Sequence, residues 1–296
     1  MITQSDSYNK ILEIYDELPK QQKKIADYII SRYDEVVFFS ISKLASTLQV
    51  SEATVVRFAQ NIGHKGFPEL KEDLVKYYKE YLTPGERMKR SIKELPDDPL
   101  SFAAHVEREI QLLNESVTAL DNTSFVETID RIVESDRIFI FGNGGNECLA
   151  NHLTFRLSRF KLQAYQQSVS GKNLFERMLQ IKKSDLIIVF HFYKPTVDFR
   201  RLMDVSKDRD IPVVLITDSL IPPMIREANL ILMAPRGSKG TFHSQVVPMA
   251  INNAIINGVS SKLGEEAVNA HQELEEMRRK FYYNNDFISG SGVDNN

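Results

Sequence analysis

A single cysteine, Cys148, is present in 296 residues. No internal disulfide can therefore form, and no Cys/His cluster has the spacing of a metal site. No apolar run reaches the roughly 18 residues a membrane-spanning helix needs. Even the stretch from Ser184 to Tyr193 is interrupted by Asp185 and His191. The first residues lack the basic-then-apolar order of a secretory signal. A strongly basic balance, which would point directly to nucleic acid, is also missing: 37 Lys+Arg stand against 40 Asp+Glu, a formal net charge of -3. These absences exclude a disulfide scaffold and a helical membrane protein. They predict a chain of the reducing cytoplasm, with no metal and no cofactor.

What is present is an ordinary folding composition, 42% hydrophobic and 26% charged. At about twice the usual domain length, the chain is expected to hold two cores. The composition changes at Tyr81-Leu-Thr-Pro-Gly-Glu and at Glu94-Leu-Pro-Asp-Asp-Pro, where proline and glycine interrupt the helical pattern. The expected division is a helical domain at 1–81, a linker at 82–100, an α/β domain at 101–283 and a flexible polar tail at 284–296.

In the first domain, Pro19 opens a helix whose Ile25, Tyr28, Ile29 and Tyr33 form one apolar face. Ser40 is placed to cap a helix carrying Leu44, Ala45 and Leu48. After the short Gln49-Val50 turn, Ser51 is placed to cap a second, from Glu52 to Gln60. That second helix turns Val55, Phe58 and Ala59 inward and leaves Glu52, Thr54 and Arg57 outward, the alternation of a recognition helix in a major groove. Arg57 suits a bidentate contact to guanine, and the Ser51 and Thr54 hydroxyls suit phosphates. Lys65 follows where a loop can reach the backbone. Residues 1–80 are nearly neutral. Between Ile41 and Gly66, however, Lys43, Arg57, Lys65 and titratable His64 meet only Glu52 as an acid. The DNA-contact candidates are Lys43, Ser51, Glu52, Thr54, Arg57 and Lys65.

In the second half, a stripe of Phe102, Val106, Ile110, Leu113, Val117 and Leu120 predicts a long helix packed on a partner surface. Beyond it, β-branched runs at 138–141, 162–165, 186–190, 213–217 and 230–233 alternate with helical stretches, which predicts a parallel sheet. The first strand runs into Phe141-Gly142-Asn143-Gly144-Gly145-Asn146 and then a helix. Glycines let a backbone approach an anion closely, and a helix N-terminus offers unpaired N–H groups. A plain chain-reversing turn is the alternative reading. The order of elements brings the Gly142 loop, the segment after Tyr165 and the segment after Phe190 to one cleft. Ser168 and Ser170 before Gly171 suit a ligand contact or, slightly better, a helix cap. His243 and Ser244 are read as the start of a helix reaching Leu263. The seam of Ala267, Ala270, Leu274, Met277 and Phe281 can close the domain or pair subunits.

The stretch from Gln22 to Leu74 resembles the helix-turn-helix of the RpiR family. It carries the Ser-Ile-x-x-Leu-Ala lead, the Val-Ser-x-Ala-Thr-Val-x-Arg-Phe core and the Gly-x-x-Gly-Phe-x-Glu-Leu-Lys exit. From about Phe125 to Leu263 the chain is similar to the SIS sugar-phosphate-binding domain that accompanies this module in RpiR-type proteins. The resemblance implies an all-α helix-turn-helix domain followed by a three-layer, flavodoxin-like α/β domain with a five-stranded parallel sheet. It also implies a transcriptional regulator acting on a double-stranded DNA operator, with a small-molecule effector. Members usually carry Gly-x-Gly-x-Ser after the first strand and Ser-x-Ser-Gly-x-Thr after the third. Here Gly142 and Gly144 match, but Asn146 stands for the serine, and the second motif reads His191-Phe192-Tyr193-Lys194-Pro195-Thr196.

These departures leave two readings of the pocket. In one, an altered anion site binds a sugar phosphate or other small anionic metabolite through Gly142, Asn143, Gly144, Gly145, Asn146, Ser168, Ser170, His191, Tyr193, Lys194 and Thr196. In the other, bulky rings occlude it and the domain only mediates oligomerisation. A phosphosugar isomerase using Glu147, His152, His191 or His243 is the remote alternative, since proton shuttling needs a positioned base. The assembly expected is a homodimer or homotetramer whose paired helix-turn-helix units read a pseudo-palindromic operator.

Overall fold

The computed structural model describes residues 7–82, 84–96, 98–192, 195–219, 228–237 and 243–283. The N-terminal region is helical: α1 (Ser7–Glu13), α2 (Lys20–Val36), α3 (Ile41–Leu48), α4 (Glu52–Asn61) and α5 (Phe67–Leu82). Its core draws one face from each helix, with Ile25, Ile29, Leu44, Val55, Phe58, Leu70 and Leu74 fully buried. Each such aliphatic or phenyl group contributes about 1.5–3 kcal/mol by leaving water. The expected face of α2 is inward at Ile25 and Ile29, and Tyr28 is half-buried. The Tyr33 side chain lies outside the described set.

The segment expected as a linker holds a helix, α6 (Pro84–Lys93). Pro84 begins α6 rather than breaking one, because the first helical position has no intrahelical partner for an N–H to lose. A second difference concerns α7 (Phe102–Ala119), capped by Ser101, whose Oγ accepts the Ala104 N–H at 3.3 Å. Its apolar stripe is covered only in part: Leu113 and Leu120 are half-buried against the core. Phe102 is 81% and Val117 77% exposed, with Val106 and Ile110 also outward, while Leu112 is buried. Periodicity defines a face of a helix without specifying what covers it.

After α8 (Asn122–Glu134) come β1 (Ile138–Phe141), α9 (Glu147–Ser158), β2 (Ala164–Gln167), α10 (Lys172–Leu179), β3 (Leu186–Phe190), α11 (Val197–Asp208), β4 (Val213–Thr217) and β5 (Leu230–Met233). All five strands are parallel in the order β2-β1-β3-β4-β5. β1, β3 and β4 are buried along their whole length, as strands covered on both faces must be. One face sets Phe139, Ile187 and Val213 against Leu174, Met178 and Met203 of α10 and α11. The other sets Ile140, Ile188 and Val214 among Ile132 of α8, Leu153 of α9 and Ile255 further on.

β2 lies two residues later than its apolar run suggested. As the edge strand it accommodates Gln166 and Gln167 in place of Leu162. The chain closes with α12 (Val246–Leu263) and α13 (Glu265–Arg278), α12 starting three residues after His243. Gly258 of α12 lies so close to Ile129 of α8 that a Cβ would collide with it. Below the sheet, Arg137 donates to buried Asp185 at 3.0 and 2.6 Å, and Asp185 also accepts the Lys182 N–H at 2.7 Å, tying the starts of β1 and β3 together.

Candidate functional sites

The first site is the surface of α3 and α4. Ser40 caps α3, its Oγ accepting the Lys43 N–H at 3.1 Å. Gln49 ends that helix in the left-handed conformation at φ 53 and sends its N–H back to Ala45 and Ser46. One left-handed residue reverses the chain within two positions, so Ser51 can cap α4 at once, accepting the Thr54 N–H at 3.1 Å. The Thr54 and Ser51 hydroxyls are bonded at 2.8 Å. Val55, Phe58 and Ala59 are fully buried. Lys43, Ser51, Glu52, Arg57 and Lys65 are exposed and Thr54 is half-buried. Arg57 and Lys43 make no ion pair among the described residues, and the Lys65 N–H is held by the Glu69 carboxylate at 2.5 Å.

His64, expected at the basic edge, is instead engaged in the fold. Its Nε2 is 2.6 Å from the Oγ of buried Ser7, whose N–H is donated to Asp73 at 2.9 Å and whose hydroxyl is also bonded to Asp73. A pairing across 57 positions leaves no local signal, so the sequence could not reveal it.

The second site is a cavity of about 300 Å³ at the carboxyl ends of β1 and β3. Gly142, Asn143 and Asn146 line it from the first loop, Val169 from the loop after β2, and His191, Phe192 and Thr196 from the loop after β3. The three expected loops thus border one cleft. Gly142 is required there, since a Cβ would come within 2.6 Å of the Asn146 carbonyl. The Asn143 amide donates to the Val169 carbonyl at 3.2 Å and that of Asn146 to the Phe190 carbonyl at 3.3 Å, so both side chains also brace the loops. His191 stacks on Phe199 at 4.1 Å, and its Nε2 accepts the Thr196 N–H at 3.4 Å. Thr196 caps α11, its Oγ1 accepting from Phe199. Tyr193 and Lys194 lie outside the described residues. Ser168 and Ser170 do not cap α10, whose first turn follows uncapped Gly171.

Two acids stand at the mouth: Glu147, read in the sequence only as a base for the isomerase alternative, and Asp198, which the sequence reading missed. Glu147 accepts the Gly144 N–H at 3.2 Å and the Ser168 hydroxyl at 2.6 Å, so a carboxylate already holds donors expected to face a ligand. Asp198, in the first turn of α11, lines the cavity, and no described Lys or Arg does. Glu147 stands in the first turn of α9, where acids are favoured by the dipole. Behind the wall, Arg236 is 8% exposed. Its guanidinium packs 4.2 Å from the Phe192 ring and donates from Nε to the Ser244 carbonyl at 3.1 Å. Burial lowers its pKa below the usual arginine range. Ser244 in turn donates to Glu109 of α7 at 2.6 Å.

Family models match the chain twice: the helix-turn-helix domain of the rpiR family over residues 6–81 and the SIS domain over residues 131–258. A Haemophilus influenzae protein described as an uncharacterized HTH-type transcriptional regulator is 32% identical over 232 residues, covering 76% of this chain and 78% of the relative. The chain belongs to the RpiR family of transcriptional regulators. The HTH-type transcriptional regulator HexR of Pseudomonas aeruginosa, 25% identical, covers 84% of the RpiR chain and is covered over 87% of its own length. The structure of the Vibrio vulnificus NanR protein complexed with ManNAc-6P has the same fold, with a TM-score of 0.53 at 21% identity over 93% of this chain and 98% of that one. Both expected architectures, helical then five-stranded parallel α/β, are present. Among the described residues no helix is long and apolar enough to cross a membrane.

Proposed function

We propose that this RpiR-family chain reads a DNA operator through α4 and senses a phosphorylated sugar or another small anionic metabolite in the cavity between the β1 and β3 loops. The observation that carries the reading is the presence of both devices in one chain: an N-capped helix with Arg57 outward and an open cavity at the carboxyl ends of a parallel sheet. Residues 1–81 act as the reading domain and 101–283 as the sensing and assembly domain. In the reading domain, Arg57 specifies a base, Glu52 and Thr54 flank it, and Lys43, Ser51 and Lys65 position the backbone.

An open cavity of about 300 Å³ favours sensing over an occluded domain. The ligand complex of NanR favours a phosphosugar. Gly142 to Asn146, Ser168, Ser170, His191 and Thr196 supply amides, hydroxyls and an imidazole, and Tyr193 and Lys194, outside the described residues, are assigned to the same site. Ligand binding alters operator affinity only insofar as it prefers one domain arrangement. Catalysis is disfavoured because, of Glu147, His152, His191 and His243, only His191 lines the cavity.

Thermal unfolding against a panel of sugar phosphates, free sugars and small anionic metabolites tests this. A ligand at 100 times its Kd is expected to stabilise by about 2.7 kcal/mol. A compound that shifts the parent but not a His191→Ala, Lys194→Ala variant places it at this site. No shift from any compound, with operator binding intact, would refute the sensing role.

A further inference from the structure

Two charged side chains are buried among the described residues, Asp185 and Arg236. Asp185, below the sheet, is answered by Arg137 at 2.6 Å. Arg236 is not answered in this way: among the described residues it makes no ion pair, although only 8% of it is exposed. Its guanidinium donates one hydrogen bond, from Nε to the Ser244 carbonyl at 3.1 Å. Burial lowers its pKa by more than the nearby Asp218 carboxylate raises it. A cation held out of water with so little compensation is costly, and such groups gather at functional sites.

The place of this charge points to the cavity. Arg236 follows β5 and so lies at the carboxyl edge of the sheet, the edge that holds the cavity. Its guanidinium is 4.2 Å from the centre of the Phe192 ring, and Phe192 lines the cavity while Arg236 does not. The charge is fixed there by its own segment. Ser244 returns its N–H to the Arg236 carbonyl at 3.1 Å and gives its hydroxyl to Glu109 of α7 at 2.6 Å. Among the described residues the cavity lining holds no Lys or Arg. It holds Asp198, paired with Arg201 at 3.4 Å, and Glu147 stands at the mouth. Such a lining by itself repels an anion.

We infer that Arg236 is a specificity-determining residue of the cavity: acting across the Phe192 ring rather than by contact, its charge makes the site take a phosphate or another oxyanion in preference to a neutral ligand of the same shape. The inference rests on the sensing role proposed for this cavity and names the residue that sets its ligand class. Between buried groups the effective dielectric is well below that of water, so the field of a full charge extends past one ring. A guanidinium also stays charged when buried and stacks on an aromatic face, which suits it to this place.

The test is binding of inorganic phosphate to the full chain, read from the phosphorus NMR line width at pH 6.5 and constant ionic strength. Arg236→Met is expected to raise the phosphate dissociation constant at least tenfold. Arg236→Lys, which keeps the charge and loses the fork of donors, is expected to stay within threefold of the parent. Arg236→Gln, neutral but still a donor, is expected to match Arg236→Met, and takes its place should the methionine variant lose cooperative unfolding. Equal affinity in the parent and the neutral variants overturns the inference and leaves the sensing role standing. A lysine variant as weak as the neutral ones also overturns it, since Arg236 then acts by packing and not by charge. A parent that binds no phosphate overturns the inference together with the anionic-ligand reading.

Discussion

The helix-turn-helix domain and the SIS domain differ in where the groups of their candidate sites are anchored. In the first, every residue of the candidate DNA surface sits on or beside two helices whose caps, Ser40 and Ser51, are local and hold their partners three residues away. In the second, the cavity is built by loops from β1, β2 and β3 held by bonds that span the chain, such as Asn146 to Phe190 across 44 positions and Ser168 to Glu147 across 21. Local anchoring makes a site readable from a motif. Distributed anchoring leaves no such local signal.

The largest effect that can separate the two regions comes from Asp185, buried beneath the sheet. Asp185→Ala removes the buried acceptor shared by Arg137 and the Lys182 N–H and is expected to cost about 1.5–3 kcal/mol, read as an earlier urea transition of the SIS domain. If the helix-turn-helix unfolds in its own transition, that transition stays in place. One joint, equally shifted transition would show that the regions do not fold independently.

Next in size, Arg57→Ala is expected to lose about 1–3 kcal/mol of operator affinity and to relax preference at one base position, whereas Lys65→Ala weakens all sequences alike. Binding to operator and scrambled DNA distinguishes them, and equal losses on both for both variants would overturn the division of roles. Smaller again, Ser51→Ala removes the cap of α4 and is expected to cost about 1 kcal/mol of stability by thermal unfolding, while the loops around the cavity are untouched.

The smallest effect is one of pH. Burial and nearby Arg156 hold the His152 pKa below its ordinary value, so the unfolded chain takes up a proton first as pH falls. The stability this neutral imidazole contributes is present above about pH 6.5 and declines below it. His152→Gln is expected to flatten that part of the pH profile. An unchanged slope between pH 7.5 and 5.5 would remove His152 from the balance.

Much of this was legible beforehand. Both caps, the inward set Val55, Phe58 and Ala59, and strands β1, β3, β4 and β5 coincide with the sequence reading, because each rests on a periodicity or a cap within one element. The common cleft was legible too, from the order of elements. Illegible were the features that depend on neighbours: β2 slipped by two residues at an edge, and Pro84 opened a helix where a break was read. Phe102, Val106, Ile110 and Val117 of the α7 stripe pointed outward, and Glu147 reached into the glycine loop.

By itself the sequence determined the helical first part, the capped pair α3 and α4 and four of the five parallel strands, since caps, apolar periods and turn residues act over a few positions. Only the tertiary structure decided which groups meet at the cavity, that His64 serves Ser7 and Asp73 rather than the basic edge, and that Arg236 backs the Phe192 wall. Those contacts join residues tens of positions apart, and their energies exist only once the packed sheet and helices have brought the partners together.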